Sequence, residues 1–199
     1  MFDYPILSLL IWVPILIGLL LILSKNISDN LSQLITILTS LLILVVSINL
    51  TQAYDHTTSQ LQFIERIEWI SGLNIFYYLA VDGISVSLIL LTAFINFLIA
   101  IYASSENYAK KSSFLGHFLI LEGLLIGTFS AFDSILFYIF FESLLIPLFL
   151  IIGIWGGANR KYATLKFFLY TLFGSVLMLI SIIYLAKISG SFAIQDFYS

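Results

Sequence analysis

The chain has 199 residues, of which 61% are apolar and only 10% are charged, and its mean hydropathy is +1.10. Soluble domains average about 45–50% apolar and about 25% charged residues, so this composition indicates an integral membrane protein. The net charge of −3 and the lack of a basic patch argue against nucleic acid as a partner. Cysteine is absent and the two histidines show no ligand spacing, which excludes disulfides, thiolate nucleophiles and cysteine metal sites.

Six apolar runs are each long enough to cross a bilayer as a helix. A hydrocarbon core about 30 Å thick requires about 20 helical residues, and lipid-exposed backbone must satisfy its hydrogen bonds internally. The predicted fold class is therefore an all-α polytopic membrane protein. Because the first run carries Asp3 and no basic residue ahead of it, it does not read as a signal peptide. The runs cover residues 5–23, 31–51, 80–103, 114–132, 134–154 and 164–186.

The uneven distribution of lysine and arginine predicts the orientation. Six basic residues lie on one side of the membrane, in the loops after the first, third and fifth runs and at the start of the sixth run. The other side carries only two, Arg66 and Lys187. By the positive-inside rule, the N-terminus is predicted to face the periplasm or intermembrane space. The six basic residues are Lys25, Lys110, Lys111, Arg160, Lys161 and Lys166.

One long polar segment, residues 52–79, is predicted to lie on the outer side. Apolar and polar residues alternate roughly from Leu61 to Trp69, and a turn-forming stretch at 71–74 follows. This pattern predicts two short strands around a turn, although an ordinary external loop fits about equally well. Asp82, which precedes Gly83, is predicted to be the N-cap of the third helix.

Glu142 lies in the middle of the apolar run 135–152. A carboxylate at that depth costs about 2.5–3.5 kcal/mol on insertion scales, so such residues generally serve an ion, a proton or a buried partner. Pro147, five residues later, is predicted to kink this helix and to free a backbone carbonyl close to the acid. A purely structural buried hydrogen bond is the alternative interpretation of Glu142.

Glu122 is predicted to lie at a depth similar to that of Glu142. At 1.5 Å per residue, the two acids lie about 16 Å and about 13 Å from the turn at Asp133, on helices that the short connection makes adjacent and antiparallel. Two acids in one buried layer resist ionising together, so they respond when a neighbouring charge moves. A structural hydrogen bond remains the alternative for Glu122.

Lys166 is the obvious cation within the chain, but its depth does not match. It lies about 9 Å from the basic surface, whereas Glu142 lies about 21 Å from the same surface. The difference exceeds a direct contact, although a water chain could bridge it. Lys166 is thus either a proton carrier or a side chain that reaches the membrane interface, and the cation for Glu142 is predicted to come from elsewhere.

These residues and their neighbours closely resemble the antiporter-like chain 4 family of respiratory complex I, NADH-ubiquinone oxidoreductase. The resemblance covers essentially the whole chain and is strongest from 115 to 181, although sister antiporter-like chains and Mrp-type cation/proton antiporters share part of it. The matching stretches are residues 81–85, 90–92, 122–127, 139–157, 159–163, 166–171 and 174–175.

The resemblance implies a proton-translocating membrane-arm subunit with no cofactor of its own. NADH, FMN, iron–sulfur clusters and ubiquinone would be bound by partner subunits. Glu142 is expected to pair with a lysine on a seventh helix and to couple quinone reduction to proton uptake. Glu122 is an expected secondary member of the polar axis, and Lys166 is included among the expected proton-translocation residues. The external hairpin would tie neighbouring membrane subunits together.

The family has about fourteen helices, whereas this sequence reaches only six. Residues 1–113 correspond to helices one to three with the external loop 52–79, and residues 114–199 to half of the first antiporter-like repeat. We expect a second polypeptide to supply helices seven onward, a degenerate remnant being the other interpretation. Other complex I membrane-arm subunits and membrane lipids are the remaining expected partners.

Two further functions are carried as alternatives: an Mrp-type antiporter subunit, and a structural or assembly subunit without transport. The Ile-, Leu-, Phe- and Tyr-rich, cysteine-free composition predicts the mitochondrial inner membrane, with the N-terminus facing the intermembrane space. A bacterial inner membrane is the alternative location.

Overall fold

The structure, a computed structural model, describes residues 5–24, 27–105 and 108–198, without the side chains of 104 and 105. Among these residues six membrane-length spans are found, of which the fifth consists of two consecutive helices, α5 and α6. The elements are α1 Ile6–Leu23, α2 Asp29–Ala53, β1 Gln62–Ile70, β2 Ile75–Val81, α3 Gly83–Ser105, α4 Lys111–Ser130, α5 Ser134–Ser143, α6 Leu145–Trp155 and α7 Arg160–Ser189.

All six predicted spans are present with bounds shifted by a few residues, and the third and fifth also differ in secondary structure. The third apolar run, predicted to begin at residue 80, includes the last residues of β2, and α3 begins at Gly83. Leu79, Ala80 and Val81 are fully buried; a buried strand and a buried helix have the same apolar composition, so hydropathy could not separate them. The fifth run, predicted as one helix, is interrupted at Leu144.

The core lies where α1 packs against α4, and glycines bring the two backbones together. A Cβ atom on Gly18 would lie 2.5 Å from the Gly116 carbonyl oxygen, and one on Gly116 would lie 2.6 Å from the Gly18 carbonyl oxygen. A Cβ atom on Gly123 would collide with the carbonyl oxygen of Ile11. Small residues at such contacts permit the close approach through which membrane helices gain packing energy.

The hairpin predicted within residues 52–79 is confirmed, and its location on the outer side stays a prediction. Strands β1 and β2 pair antiparallel from Gln62 opposite Val81 to Ile70 opposite Ile75, with two irregularities in register. The turn between them includes Asn74 in the left-handed region, at φ 53°, a conformation that asparagine tolerates better than most residues. Asp82 caps α3 as predicted, since its Oδ1 accepts a hydrogen bond of 2.7 Å from the Ser85 N–H.

Hydrogen bonds show which connections share one end of the bundle. The Glu65 carboxylate of β1 accepts from the Leu7 N–H at the start of α1, and the Tyr78 carbonyl of β2 accepts from the Phe132 N–H between α4 and α5. The hairpin, the start of α1 and the α4–α5 turn therefore lie together. At the opposite end the Trp155 indole N–H donates to the Ala109 carbonyl. The alternation of ends that underlies the orientation argument is thus confirmed.

Helix α7 lies at the edge of the bundle. In the most apolar 18-residue stretch of α7, 11% of the residues are buried, whereas 67% are buried in the corresponding stretch of α4. Its large side chains mostly point away from the protein; Phe173 and Tyr170, for example, are 70% and 73% exposed. The face of α7 that is not packed on α5 and α6 is thus open to lipid or to another protein segment.

Candidate functional site

The break between α5 and α6 is the structural feature nearest to Glu142. The Leu144 N–H donates to the Phe140 carbonyl at 3.2 Å, and the Leu148 N–H donates to the Leu144 carbonyl at 3.3 Å, both longer than the usual 2.9–3.0 Å. Pro147 has no N–H, so the helical partner of the Ser143 carbonyl is missing. The interruption lies at Leu144, two residues after the acid, where the backbone keeps helical angles of φ −60° and ψ −29°, and the kink at Pro147 stays a prediction.

Glu142 is half-buried, and its Oε2 atom is enclosed without any hydrogen-bond partner in the protein. The carboxyl group faces an open groove of about 400 Å³ between the α5–α6 segment and α7. Apart from Glu142 and Ser143, the groove is lined mainly by apolar and aromatic side chains. These are Tyr138, Ile139, Leu145, Ile146 and Phe168.

Glu122 has a different environment, because α4 is enclosed by its neighbours. Its side chain is 0% exposed, and neither carboxyl oxygen has a hydrogen-bond partner in the protein. The adjacency of α4 and α5 that was predicted from their short connection is confirmed. A Cβ atom on Gly127 of α4 would lie 2.8 Å from the ring of Phe140 on α5.

Lys166 lies on the exposed side of α7. Its ammonium nitrogen is 5.8 Å from the ring centre of Tyr162 and 5.9 Å from that of Tyr170, one turn before and one turn after it. These distances suit weak cation–π contacts. Within the described part of the chain no hydrogen bond or ion pair joins Lys166 to Glu142, and the structure does not bring the two charges together.

Asp133, between α4 and α5, is a site residue whose importance the sequence did not indicate. Its Oδ1 accepts from the N–H groups of Ile135 and Leu136 at 3.0 and 3.1 Å, and its Oδ2 accepts from the N–H of Phe76 on β2 at 3.0 Å. The residue is only 1% exposed. Burial raises the pKa of Asp133, while the three N–H donors and the nearby charge of Arg66 oppose that rise.

Glu65 is a second residue that sequence reasoning missed. Its carboxylate accepts from the N–H of Leu7 at 2.8 Å and from the N–H and hydroxyl of Ser8. Pro5, the residue at the N-cap of α1, makes no side-chain cap bond, so β1 provides the cap from a distance. The alternating pattern of β1 identified a strand but could not show which helix end it reaches.

The described residues contain no group of three or more His, Asp or Glu side chains that could hold a metal ion. The acids are instead distributed singly, with Glu122 in the core, Glu142 at the groove, and Asp133 and Glu65 at the hairpin end. Such an arrangement can move or respond to charge, since each acid has a different neighbour and a different degree of burial.

Comparison with known proteins shows what this chain is similar to. Residues 131–199 match the model described as NADH:quinone oxidoreductase/Mrp antiporter, transmembrane. The chain is 38% identical to NADH-quinone oxidoreductase subunit M of Rickettsia prowazekii, with 98% of this chain and 40% of the relative covered. It is 37% identical to NADH-ubiquinone oxidoreductase chain 4 of Marchantia polymorpha, with 96% of this chain and 39% of that relative covered.

A solved structure agrees with these sequence matches. Respiratory complex I from Thermus thermophilus with bound NADH contains a chain that matches at a TM-score of 0.83 and 30% identity, covering 96% of this chain and 38% of that one. The chain is related to the antiporter-like membrane subunits of complex I. It spans about two fifths of the length of the curated relatives it matches.

The same fold occurs in Mrp antiporters. The Mrp complex from Dietzia sp. DQ12-45-1b matches at a TM-score of 0.81, covering 96% of this chain and 20% of the other, but at only 14% identity. That likeness shows a shared fold and no more. The resemblance to chain 4 of complex I, predicted over essentially the whole chain, is confirmed, and the antiporter-like fold class is confirmed with it.

Proposed function

We propose that this chain acts in the membrane arm of an NADH:ubiquinone oxidoreductase and translocates protons, with Glu142 as the coupling residue. The observation that carries this proposal is the buried, unpartnered Oε2 of Glu142, a residue that also lines an open groove beside a helix break. A membrane-embedded acid that serves only packing would be expected to have a hydrogen-bond partner. The relatives named as oxidoreductase subunits support the same function.

The proposed mechanism is electrostatic. A cationic side chain entering the groove beside Glu142 would be held by the carboxylate. A change in the charge of Glu142 would then change how tightly that cationic side chain holds its proton. Glu122, on the adjacent helix, is proposed as a second acid of this axis. Lys166 is proposed as a proton-carrying residue nearer the basic end, where Tyr162 and Tyr170 flank it.

The cation for Glu142 is proposed to come from a protein segment outside this sequence. Among the described residues none makes an ion pair with Glu142, and the groove that it lines between the α5–α6 segment and α7 is open. A second polypeptide supplying helices seven onward is the form of this proposal that we favour. Other membrane-arm subunits and lipids would cover the remaining exposed surface, and NADH, FMN, iron–sulfur clusters and ubiquinone would be bound by partner subunits.

The proposed location is the mitochondrial inner membrane, with the hairpin end in the intermembrane space. Among the described residues, five basic side chains lie at or near the opposite end and two, Arg66 and Lys187, at the hairpin end; Lys25 lies outside the described residues. The more basic end faces the cytoplasm or matrix. The Ile-, Leu-, Phe- and Tyr-rich composition suits a mitochondrial gene, and a bacterial inner membrane is the alternative location.

Substitution of Glu142 by Gln tests the proposal, because it removes the charge and preserves the shape. In energised membranes we expect the number of protons pumped per NADH oxidised to fall about tenfold or more. The amount of the chain that mass spectrometry finds in the NADH-oxidising band of a native gel should be unchanged. Glu68→Gln, an exposed acid on β1, is the matched control and should pump normally.

The alternatives predict different results. A structural subunit would lose assembly in Glu142→Gln while the surviving complex pumped normally, and that outcome would contradict the transport role. An Mrp-type subunit would show sodium-dependent activity and would be absent from the NADH-oxidising band.

A further inference from the structure

We propose that Asp133 is a positioning residue for Glu142, fastening the outer end of α5 to the external hairpin so that both move as one unit. This inference rests on the proposed function of Glu142. It concerns the short helix α5, which begins directly after Asp133 and ends directly after Glu142. The two acids are thus at opposite ends of a single helical segment about 13 Å apart.

The first argument is that Asp133 uses both carboxylate oxygens, and for different purposes. Oδ1 caps α5 by accepting from Ile135 and Leu136, whereas Oδ2 accepts from Phe76, a residue of β2 that lies 57 positions earlier in the chain. A cap alone requires one oxygen. The second oxygen joins the helix to the hairpin, and only a carboxylate of this length can accept at both places.

The second argument is that backbone hydrogen bonds hold the residues on both sides of Asp133 as well. These bonds and those of the Asp133 carboxylate are together called the clasp. The Phe132 N–H donates to the Tyr78 carbonyl at 2.8 Å on the hairpin side. On the other side, the Ser134 N–H donates to the Phe192 carbonyl at 2.8 Å, and the Ile194 N–H donates to the Phe132 carbonyl at 2.9 Å. The α4–α5 turn is therefore held between β2 and the segment that follows α7.

The third argument concerns the other end of α5. The segment is interrupted at Leu144, where Pro147 leaves the Ser143 carbonyl without its helical donor. Because one helical hydrogen bond is missing at this end, the hydrogen bonds of Asp133 at the other end contribute more to the orientation of α5. The position of Glu142 in its groove thus follows from how firmly Asp133 holds the outer end.

A substitution that separates the two roles of the carboxylate tests the proposal. Asp133→Ser keeps an oxygen that can cap α5, since serine is a good N-cap residue, but cannot also accept from Phe76. In the assembled complex we expect the protons pumped per NADH to fall about twofold or more. A role limited to assembly would change the amount of complex and leave this ratio unchanged.

Asp82→Ser is the matched control. Asp82 also caps a helix, α3, by accepting from Ser85, and within the described residues it makes no hydrogen bond to a second element. Its replacement by serine should leave the pumping ratio at the unmodified value. An unchanged ratio in assembled Asp133→Ser would overturn the positioning role.

Hydrogen exchange in the unmodified complex provides the test if Asp133→Ser fails to assemble. If the clasp opens as one unit, the amides of Phe76, Ile135 and Leu136 should show equal protection factors. Protection of the Phe76 amide that differs about tenfold or more from that of the other two would overturn the proposal.

The Glu142→Gln variant separates the two proposals. If Glu142→Gln leaves pumping unchanged, the proposed function and the positioning role fall together. If Glu142→Gln lowers pumping and assembled Asp133→Ser does not, only the positioning role is overturned.

Discussion

Helices α4 and α7 are both apolar membrane spans, yet they occupy opposite extremes of burial. Of the most apolar window of α4, 67% is buried, against 11% for α7. Glycine distinguishes them: three glycines of α4 contact α1 or α5 so closely that a Cβ atom would clash, whereas Gly174 of α7 has no neighbour within 4 Å. In a membrane protein, close small-residue contacts rather than apolarity identify the core helix.

The two regions also hold their charges differently. Glu122 is enclosed by the packed helices around α4, while Glu142 and Lys166 lie on the open side formed by α5, α6 and α7. A charge on the open side can meet a partner that the chain itself does not contain. The α1–α4 side is therefore the packed part of the bundle, and the α5–α7 side is the part whose charged groups lie near open surface.

The largest expected effect comes from filling the α1–α4 contact. Gly123→Leu would force a side chain into the Ile11 carbonyl, and overpacking of this kind costs about 1–3 kcal/mol or more. We expect most of the chain to be lost from the membrane, as measured by immunoblot. Gly174→Leu, in open space, should leave the level unchanged. If Gly174→Leu lowered the membrane level of the chain as much as Gly123→Leu, that result would contradict the difference in packing between α4 and α7. It would show that another segment covers α7.

An intermediate effect is expected at the hairpin end of the packed region. Glu65→Ala removes the distant cap of α1, and loss of a cap costs about 1–2 kcal/mol. The temperature at which the detergent-solubilised protein aggregates should fall by a few degrees, which a thermal-shift assay can detect. Glu68→Ala, an exposed acid on the same strand, is the control, and an equal fall in both variants would contradict a specific role for Glu65.

The smallest effect is expected on the open side. Phe173 is 70% exposed, so Phe173→Ala should change the stability of the detergent-solubilised chain by less than about 0.5 kcal/mol. Phe140→Ala, at a ring that is 4% exposed, provides the positive control. If Phe173→Ala is neutral in the isolated chain but disrupts the assembled complex, the comparison is sharpened, because a protein segment rather than lipid then covers α7.

Much of the fold could be predicted from the sequence because local signals dominate it. Hydrophobic length gave the six spans, alternation and the turn at Asn74 gave the hairpin, and Asp82 identified the start of α3. The interruption at Leu144 lies close to Pro147, whose missing N–H is a local cause, while the predicted kink itself stays a prediction. Each of these features depends on residues close together in the chain.

The clasp at Asp133 and the cap by Glu65 could not be predicted in the same way. Their partners are 57 and 58 residues distant in the chain, at Phe76 and Leu7 respectively. Nothing in the apolar or polar pattern specifies which backbone N–H a distant carboxylate will reach. For the candidate site, the difference in predicted depth indicated that Lys166 and Glu142 make no direct contact, and the structure shows none. The transport roles of Glu142, Glu122 and Lys166 stay predictions.

The pairing of the α4–α5 turn with Phe192 also constrains the order in which the protein is made. Ser134 and Phe192 are 58 residues apart, and α5, α6 and α7 lie between them. The Phe192 carbonyl reaches Ser134 only after the ribosome has synthesised α7 and the membrane has received it. Until then the outer end of α5 has its hairpin bonds alone, so the helix that holds Glu142 is completed late in membrane insertion.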